Sequence, residues 1–187
     1  MTLFQLLMLG ASAFFAFKIY EHIQTLKDPE EGKVFEDPAD AELLVYQGDE
    51  EMQKGDAQRA LTIYHEANIK MPHNQEILFK MGYALVAQER YEEALEYYQE
   101  ALELNHKNSA LHQAIASVYR KTGEFEKAKE HLDYSLEQDN ENPITYYNYG
   151  NLLVDMQETE AAKEMYKKAL ELDDEFAEAK EELEKLG

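Results

Sequence analysis

The chain has 187 residues, 39 acidic against 18 basic for a net charge of −21, and neither cysteine nor tryptophan. A surface this negative repels phosphate backbones and anionic headgroups, which argues against nucleic-acid binding and peripheral lipid binding. Without thiols there are no disulfides, thiolate metal sites or cysteine nucleophiles.

The first predicted element is a membrane anchor over residues 1–23. Thr2 to Phe17 carries no charge and consists almost wholly of Leu, Phe, Met, Ala and Gly. Continued as a helix to Ile23, it supplies about 20 predominantly apolar residues, enough to cross a ~30 Å hydrocarbon layer. Ala11-Ser12-Ala13 has the form of a signal-peptide cleavage site, so removal is the alternative. Against it, no Lys or Arg precedes the apolar run, and Phe14, Phe15 and Phe17 extend that run beyond the site. Lys18, Lys27 and Lys33 follow the uncharged run, which places the C-terminal body on the cytoplasmic side of a single-pass protein, with a periplasmic body as the alternative. Gly10, Ser12, Ala13 and Ala16 allow close approach of a second membrane helix, although small residues are common in such segments.

Residues 24–40 read as a linker, because Pro29, Gly32, Pro38 and mixed charges replace apolar periodicity. As a flexible coil this stretch spans roughly 20–25 Å. Val34 and Phe35 form an apolar pair within it, suited to docking on the body.

From residue 41 the chain repeats itself. Ala60, Ala94, Ala128 and Ala162 stand 34 residues apart, and their surroundings recur with the same step, giving units 41–74, 75–108, 109–142 and 143–176. A fixed period of this length predicts stacked helical units that cannot bury their apolar faces singly. In the second unit Leu78, Met81, Gly82 and Leu85 share one helical face, and Tyr91, Ala94, Leu95, Tyr98, Ala101 and Leu102 form a facing stripe on the next helix. Small residues recur where the two helices cross, at Gly48, Gly82, Ala116 and Gly150 on the first and at the alanine series on the second. Residues 177–187 read as one further helix, with Ala179, Leu183 and Leu186 toward the stack.

With these positions in register, the chain resembles the tetratricopeptide repeat family. The family's leading bulky residue falls on Leu44, Leu78, His112 and Tyr146. Its aromatic after the central alanine falls on Tyr64, Tyr98, Leu132 and Tyr166, followed by Ala67, Ala101, Ser135 and Ala169. The closing proline survives only as Pro72; His106, Asn140 and Asp174 replace it, so the later turns are expected to be less rigidly set. The resemblance covers about 136 residues and implies an all-α, right-handed solenoid of four helix-turn-helix repeats with a C-terminal capping helix. In the first repeat Gln47 and Glu51 are polar where the second and fourth units are apolar, as an end unit requires.

A second stripe on each first helix is left over once the packing stripe is assigned. It contains Tyr46, then Phe79, Tyr83 and Val86, then Gln113, Ser117 and Arg120, then Tyr147, Asn148 and Asn151. The resemblance implies a concave groove here that holds a protein or peptide partner; the alternative is that Phe79 and Tyr83 pack adjacent repeats or receive the linker. Val45, Asp49, Lys80, Ala110 and Ala114 stand where a basic clamp for a terminal carboxylate would need Lys, Asn and Arg, so that mode is not supported.

Signals for chemistry are sparse. The six histidines include no metal-binding spacing, His73 and His106 read as solvated turn residues, and His112 falls on a packing position. No phosphate loop or nucleophile elbow occurs, so neither enzyme activity, metal nor cofactor is expected. The sequence therefore reads as a membrane-anchored interaction scaffold. The alternatives are a self-associating, homo-oligomeric scaffold and a periplasm-facing assembly or secretion factor.

Overall fold

The computed structural model describes residues 38–187. The predicted anchor, the linker as far as residue 37, and Val34 with Phe35 lie outside the described residues. Among the described residues no helix is long and apolar enough to cross a membrane.

The described chain folds into nine α-helices: α1 (Pro38–Gln53), α2 (Ala57–Lys70), α3 (Gln75–Ala87), α4 (Tyr91–Leu104), α5 (Ser109–Lys121), α6 (Phe125–Gln138), α7 (Pro143–Asp155), α8 (Thr159–Leu172) and α9 (Ala177–Lys185). They form four antiparallel pairs, each second helix packs on the first helix of the next pair, and α9 closes on α8. The linker ends earlier than expected, because α1 starts at Pro38 rather than after residue 40. A proline in the first helical turn gives up only an N–H that has no helical partner there, and its fixed φ suits the helix.

Capping sets the boundaries. Asn74, Asn108 and Asn142 accept hydrogen bonds from the backbone N–H of Ile77, Leu111 and Ile144, opening α3, α5 and α7 at the same point of each repeat. Within each pair the turn needs one residue in the left-handed region: Gly55, Glu89, Gly123 and Gln157, 34 positions apart, have φ of 82°, 60°, 80° and 65°. The residue after each returns its N–H to a carbonyl five positions back, as Arg90 does to Leu85 and Glu158 to Leu153.

The turns between repeats differ from expectation. Without the closing proline they remain fixed, because Asn105, Asp139 and Asp173 accept a side-chain bond from the N–H of Lys107, Glu141 and Glu175 at 3.2, 3.1 and 3.0 Å. Such local side-chain bonds mimic a backbone turn.

The crossing within each pair rests on one contact. A Cβ placed on Gly48, Gly82 or Gly150 would lie 2.6, 2.7 and 2.7 Å from Cδ1 of Tyr64, Tyr98 and Tyr166 respectively. Each glycine therefore lets a fully buried tyrosine ring lie flat against the opposing backbone. In the third repeat both members change together: Ala116 faces the smaller Leu132, and both are buried.

The apolar core is divided. One cluster runs from α2 to α5 around Leu78, Met81, Leu85 and Tyr98, and the other from α5 to α8 around Leu132, Leu152 and Tyr166. Buried polar side chains tie α5 to α6 and α7: Gln113 donates to Thr145 Oγ1 at 2.8 Å and to Ser135 Oγ at 3.3 Å. At the first end, Glu51 is buried yet paired with Lys54 at 2.9 Å and Arg59 at 3.8 Å. At the other, Ala179 is buried and Leu183 and Leu186 pack on the second cluster.

Two outcomes test these contacts. Gly82→Ala is expected to cost about 1–3 kcal/mol by overpacking, and adding Tyr98→Leu to recover part of that loss, giving a coupling of about 1 kcal/mol or more in urea denaturation. Gln157→Gly should stabilise by about 0.5–1 kcal/mol, the left-handed strain of a non-glycine residue outweighing the added freedom of the unfolded chain; Gly123→Ala should shift the urea midpoint the opposite way.

Candidate functional site

The first helices α1, α3, α5 and α7 form a wall. Contacts join α3 to α5 and α5 to α7, and the ion pair between Lys80 and Asp49 joins α3 to α1. Two adjoining cavities open along α1 and α3. One, of about 280 Å³, is lined by Glu42, Val45, Tyr46, Asp49, Glu76 and Ile77 among others. The second, of about 370 Å³, is lined by Asp49, Met52, Gln53, Tyr64, Phe79, Lys80 and Tyr83. Asp49 belongs to both.

The rings around these cavities differ in exposure. Tyr46 is 61% exposed and Tyr83 55%. Phe79 is half-buried and rests on Tyr98, with ring centroids 5.7 Å apart, so it both lines the cavity and packs the core. Val86 is half-buried against the first core cluster.

Asp49 fixes the floor. It accepts the Tyr64 hydroxyl at 2.6 Å and the Lys80 ammonium at 2.8 Å on each oxygen. Burial and the Asp49 carboxylate together push the Tyr64 hydroxyl well above its ordinary pKa, so it stays a donor. In the fourth repeat Asn151 plays the acceptor's part for Tyr166 at 2.8 Å. Burial pushes the Tyr166 hydroxyl up to about 12. Sequence reasoning placed Asp49, Lys80 and Asn151 on the wall but missed these bonds. The signal was a recurring spacing: both acceptors precede their tyrosine by 15 residues.

The later stripe residues do not all lie open to solvent. Gln113, expected in the groove, is only 8% exposed and is spent in the polar knot with Ser135 and Thr145. The two hydroxyls accept from its amide nitrogen, which therefore turns inward. Ser117, Arg120 and Asn148 line a small notch with Ala116 and Leu132, and Arg120 is held 2.6 Å from Asp155. Tyr147 lies half-buried between Tyr166 and Phe176, with centroids 5.9 and 5.1 Å away.

His73 and His106 are exposed turn residues, as expected. His73 lies 3.5 Å from Glu100. His112 is buried, with Nε2 3.0 Å from the His106 carbonyl and Nδ1 3.0 Å from Nδ1 of His131. A carbonyl can only accept, so Nε2 of His112 carries the proton and, in the neutral ring, its Nδ1 accepts from His131. Burial, with His112 alongside, lowers the His131 pKa to about 4. The unfolded chain then binds a proton near pH 6.5 that the folded chain refuses, so this pair's stabilisation is complete above pH 6.5 and is lost as pH falls toward 4. The difference in Tm between the wild type and His131→Phe should therefore shrink across that window. A constant difference from pH 7 to 4 would refute the assignment.

The sequence model of the tetratricopeptide repeat matches residues 51–118, 85–133 and 119–186. No curated protein matches the chain in sequence. Among solved structures, a thermophilic tetratricopeptide repeat protein of Thermus thermophilus is 22% identical, with 94% of each chain covered and a TM-score of 0.74. MamA from residue 41 onward, of Desulfovibrio magneticus RS-1, is 21% identical over 79% of this chain and 83% of that one, with a TM-score of 0.65. The first repeat domain of Spaghetti, bound to an HSP90 peptide, is 26% identical over 60% of this chain and 89% of that one, with a TM-score of 0.56. The matched segments together span residues 51 to 186, and the chain belongs to the tetratricopeptide repeat family.

Proposed function

We propose that this chain is a membrane-anchored scaffold that holds a segment of another protein against the wall of its first helices, and that it acts by binding rather than by catalysis. The observation that carries the reading is the pair of adjoining cavities on α1 and α3, bordered by the exposed rings of Tyr46 and Tyr83. Rigid aromatic side chains beside a preformed hollow supply contact area at small entropic cost, which is what binding hot spots are built from. The Spaghetti domain, with a peptide bound to the same fold, supports a peptide as occupant.

The anchor is proposed from the uncharged run Thr2 to Phe17, and the cytoplasmic placement of the body from the lysines that follow it. Tethering by a short flexible linker confines the body and its partner to one volume, with effective concentrations of order mM. A second reading, self-association, draws on the open face of the first repeat, where Leu43 is 56% and Ile69 75% exposed. A monomer in sedimentation at high concentration would eliminate it.

Crosslinking in the native membrane tests the main reading. Tyr83→Ala removes an exposed ring without opening the core, so its helical circular dichroism should match the wild type while recovery of the crosslinked partner falls roughly tenfold, the loss of one modest hot spot. Undiminished recovery would remove the cavities from this account. Phe79→Ala is the poorer probe, because the ring also supports Tyr98.

A further inference from the structure

The cavities carry a charge pattern that narrows the choice of partner, and this narrowing rests on the groove reading above. Their lining includes three carboxylates, Glu42, Asp49 and Glu76, and one cation, Lys80. Lys80 is committed within the wall, 2.8 Å from both oxygens of Asp49 and 3.7 Å from Glu76. Three negative charges against one positive leave the lining at −2, in a chain whose total is −21. Farther along the wall Arg120 is likewise taken by Asp155. An incoming carboxylate would therefore have to break an ion pair to find a cation, whereas an incoming ammonium or guanidinium meets Glu42, Glu76 and the exposed ring of Tyr46, which can hold it by its face. The adjoining cavity offers Met52, Phe79 and Tyr83 instead.

We infer that the occupant is a segment of a partner protein in which a lysine or arginine stands beside a bulky apolar residue. The cation lies in the cavity bordered by Glu42, Tyr46 and Glu76; the apolar side chain fills the cavity bordered by Met52, Phe79 and Tyr83. This preference is opposite in sign to the peptide held by Spaghetti, SRMEEVD, which carries three acidic residues and one basic one. The surrounding negative field speeds the approach of such a segment and makes its binding salt-dependent.

The test is selection from a display library of random dodecapeptides on the full chain in a mild non-ionic detergent, followed by anisotropy measurements with the selected peptides made as capped synthetic versions. Peptides pairing Lys or Arg with an aromatic or long aliphatic residue should be enriched. Their affinity should fall roughly tenfold in Glu42→Gln with Glu76→Gln, about 1.4 kcal/mol, should fall also in Tyr83→Ala, and should weaken with added salt, while circular dichroism stays unchanged. Enrichment of acidic or uncharged peptides, or indifference to the double glutamine variant, overturns the charge assignment and leaves the groove standing. No enrichment at all, or enrichment untouched by Tyr83→Ala, overturns the groove and the charge assignment together.

Discussion

A tyrosine ring lying on a glycine backbone sets the geometry of this array. In three of the four repeats the second helix sends a buried ring, Tyr64, Tyr98 or Tyr166, across the space that a side chain on Gly48, Gly82 or Gly150 would occupy. The distance between paired helices follows from that contact, and the stacking of successive pairs follows from the distance. The third repeat supports the same rule by changing both members at once, since Ala116 and Leu132 fill a comparable space with the bulk moved from one helix to the other. Two of the rings, Tyr64 and Tyr166, also turn their hydroxyls toward the wall of first helices, where Asp49 and Asn151 receive them. The core contact and the candidate binding surface are thus two ends of one side chain.

The period and its packing residues were legible because stacking obliges every unit to solve the same problem with the same kinds of residue. Helix pairs, crossing points and the closing helix all follow from that. Less legible were features that depend on individual hydrogen bonds. Loss of the repeat-closing proline reads as loosened turns, yet Asn105, Asp139 and Asp173 restore each turn through side-chain acceptors. Gln113 sits in register with Phe79 and so reads as part of the outer stripe. Only the presence of Thr145, 32 positions later, and Ser135, 22 later, explains why it turns inward. The stripe itself was readable, but its division into exposed rings, packing rings and committed ion pairs was not, because periodicity reports which face a residue occupies and not what already satisfies it.

The wall is therefore uneven along its length. Toward the first and second repeats it is hollow, aromatic and negative. Toward the third and fourth it is largely occupied by its own contacts, with Arg120 on Asp155 and Tyr147 wedged between Tyr166 and Phe176. The candidate surface is thus concentrated near one end of the array, and the remainder is taken up by its own packing and ion pairs. That end is also the one nearest residues 1–37 in sequence.

The buried knot of Gln113, Ser135 and Thr145 has a mechanical consequence. In a stacked array each unit communicates only with its neighbours, so the strength of every junction decides whether the whole melts as one block. Hydrogen bonds that replace apolar burial contribute modestly when complete and become costly once a single partner is displaced. Displacing any one of the three side chains would accordingly weaken the junction between the third and fourth repeats, which the bond from Gln113 to Thr145 spans.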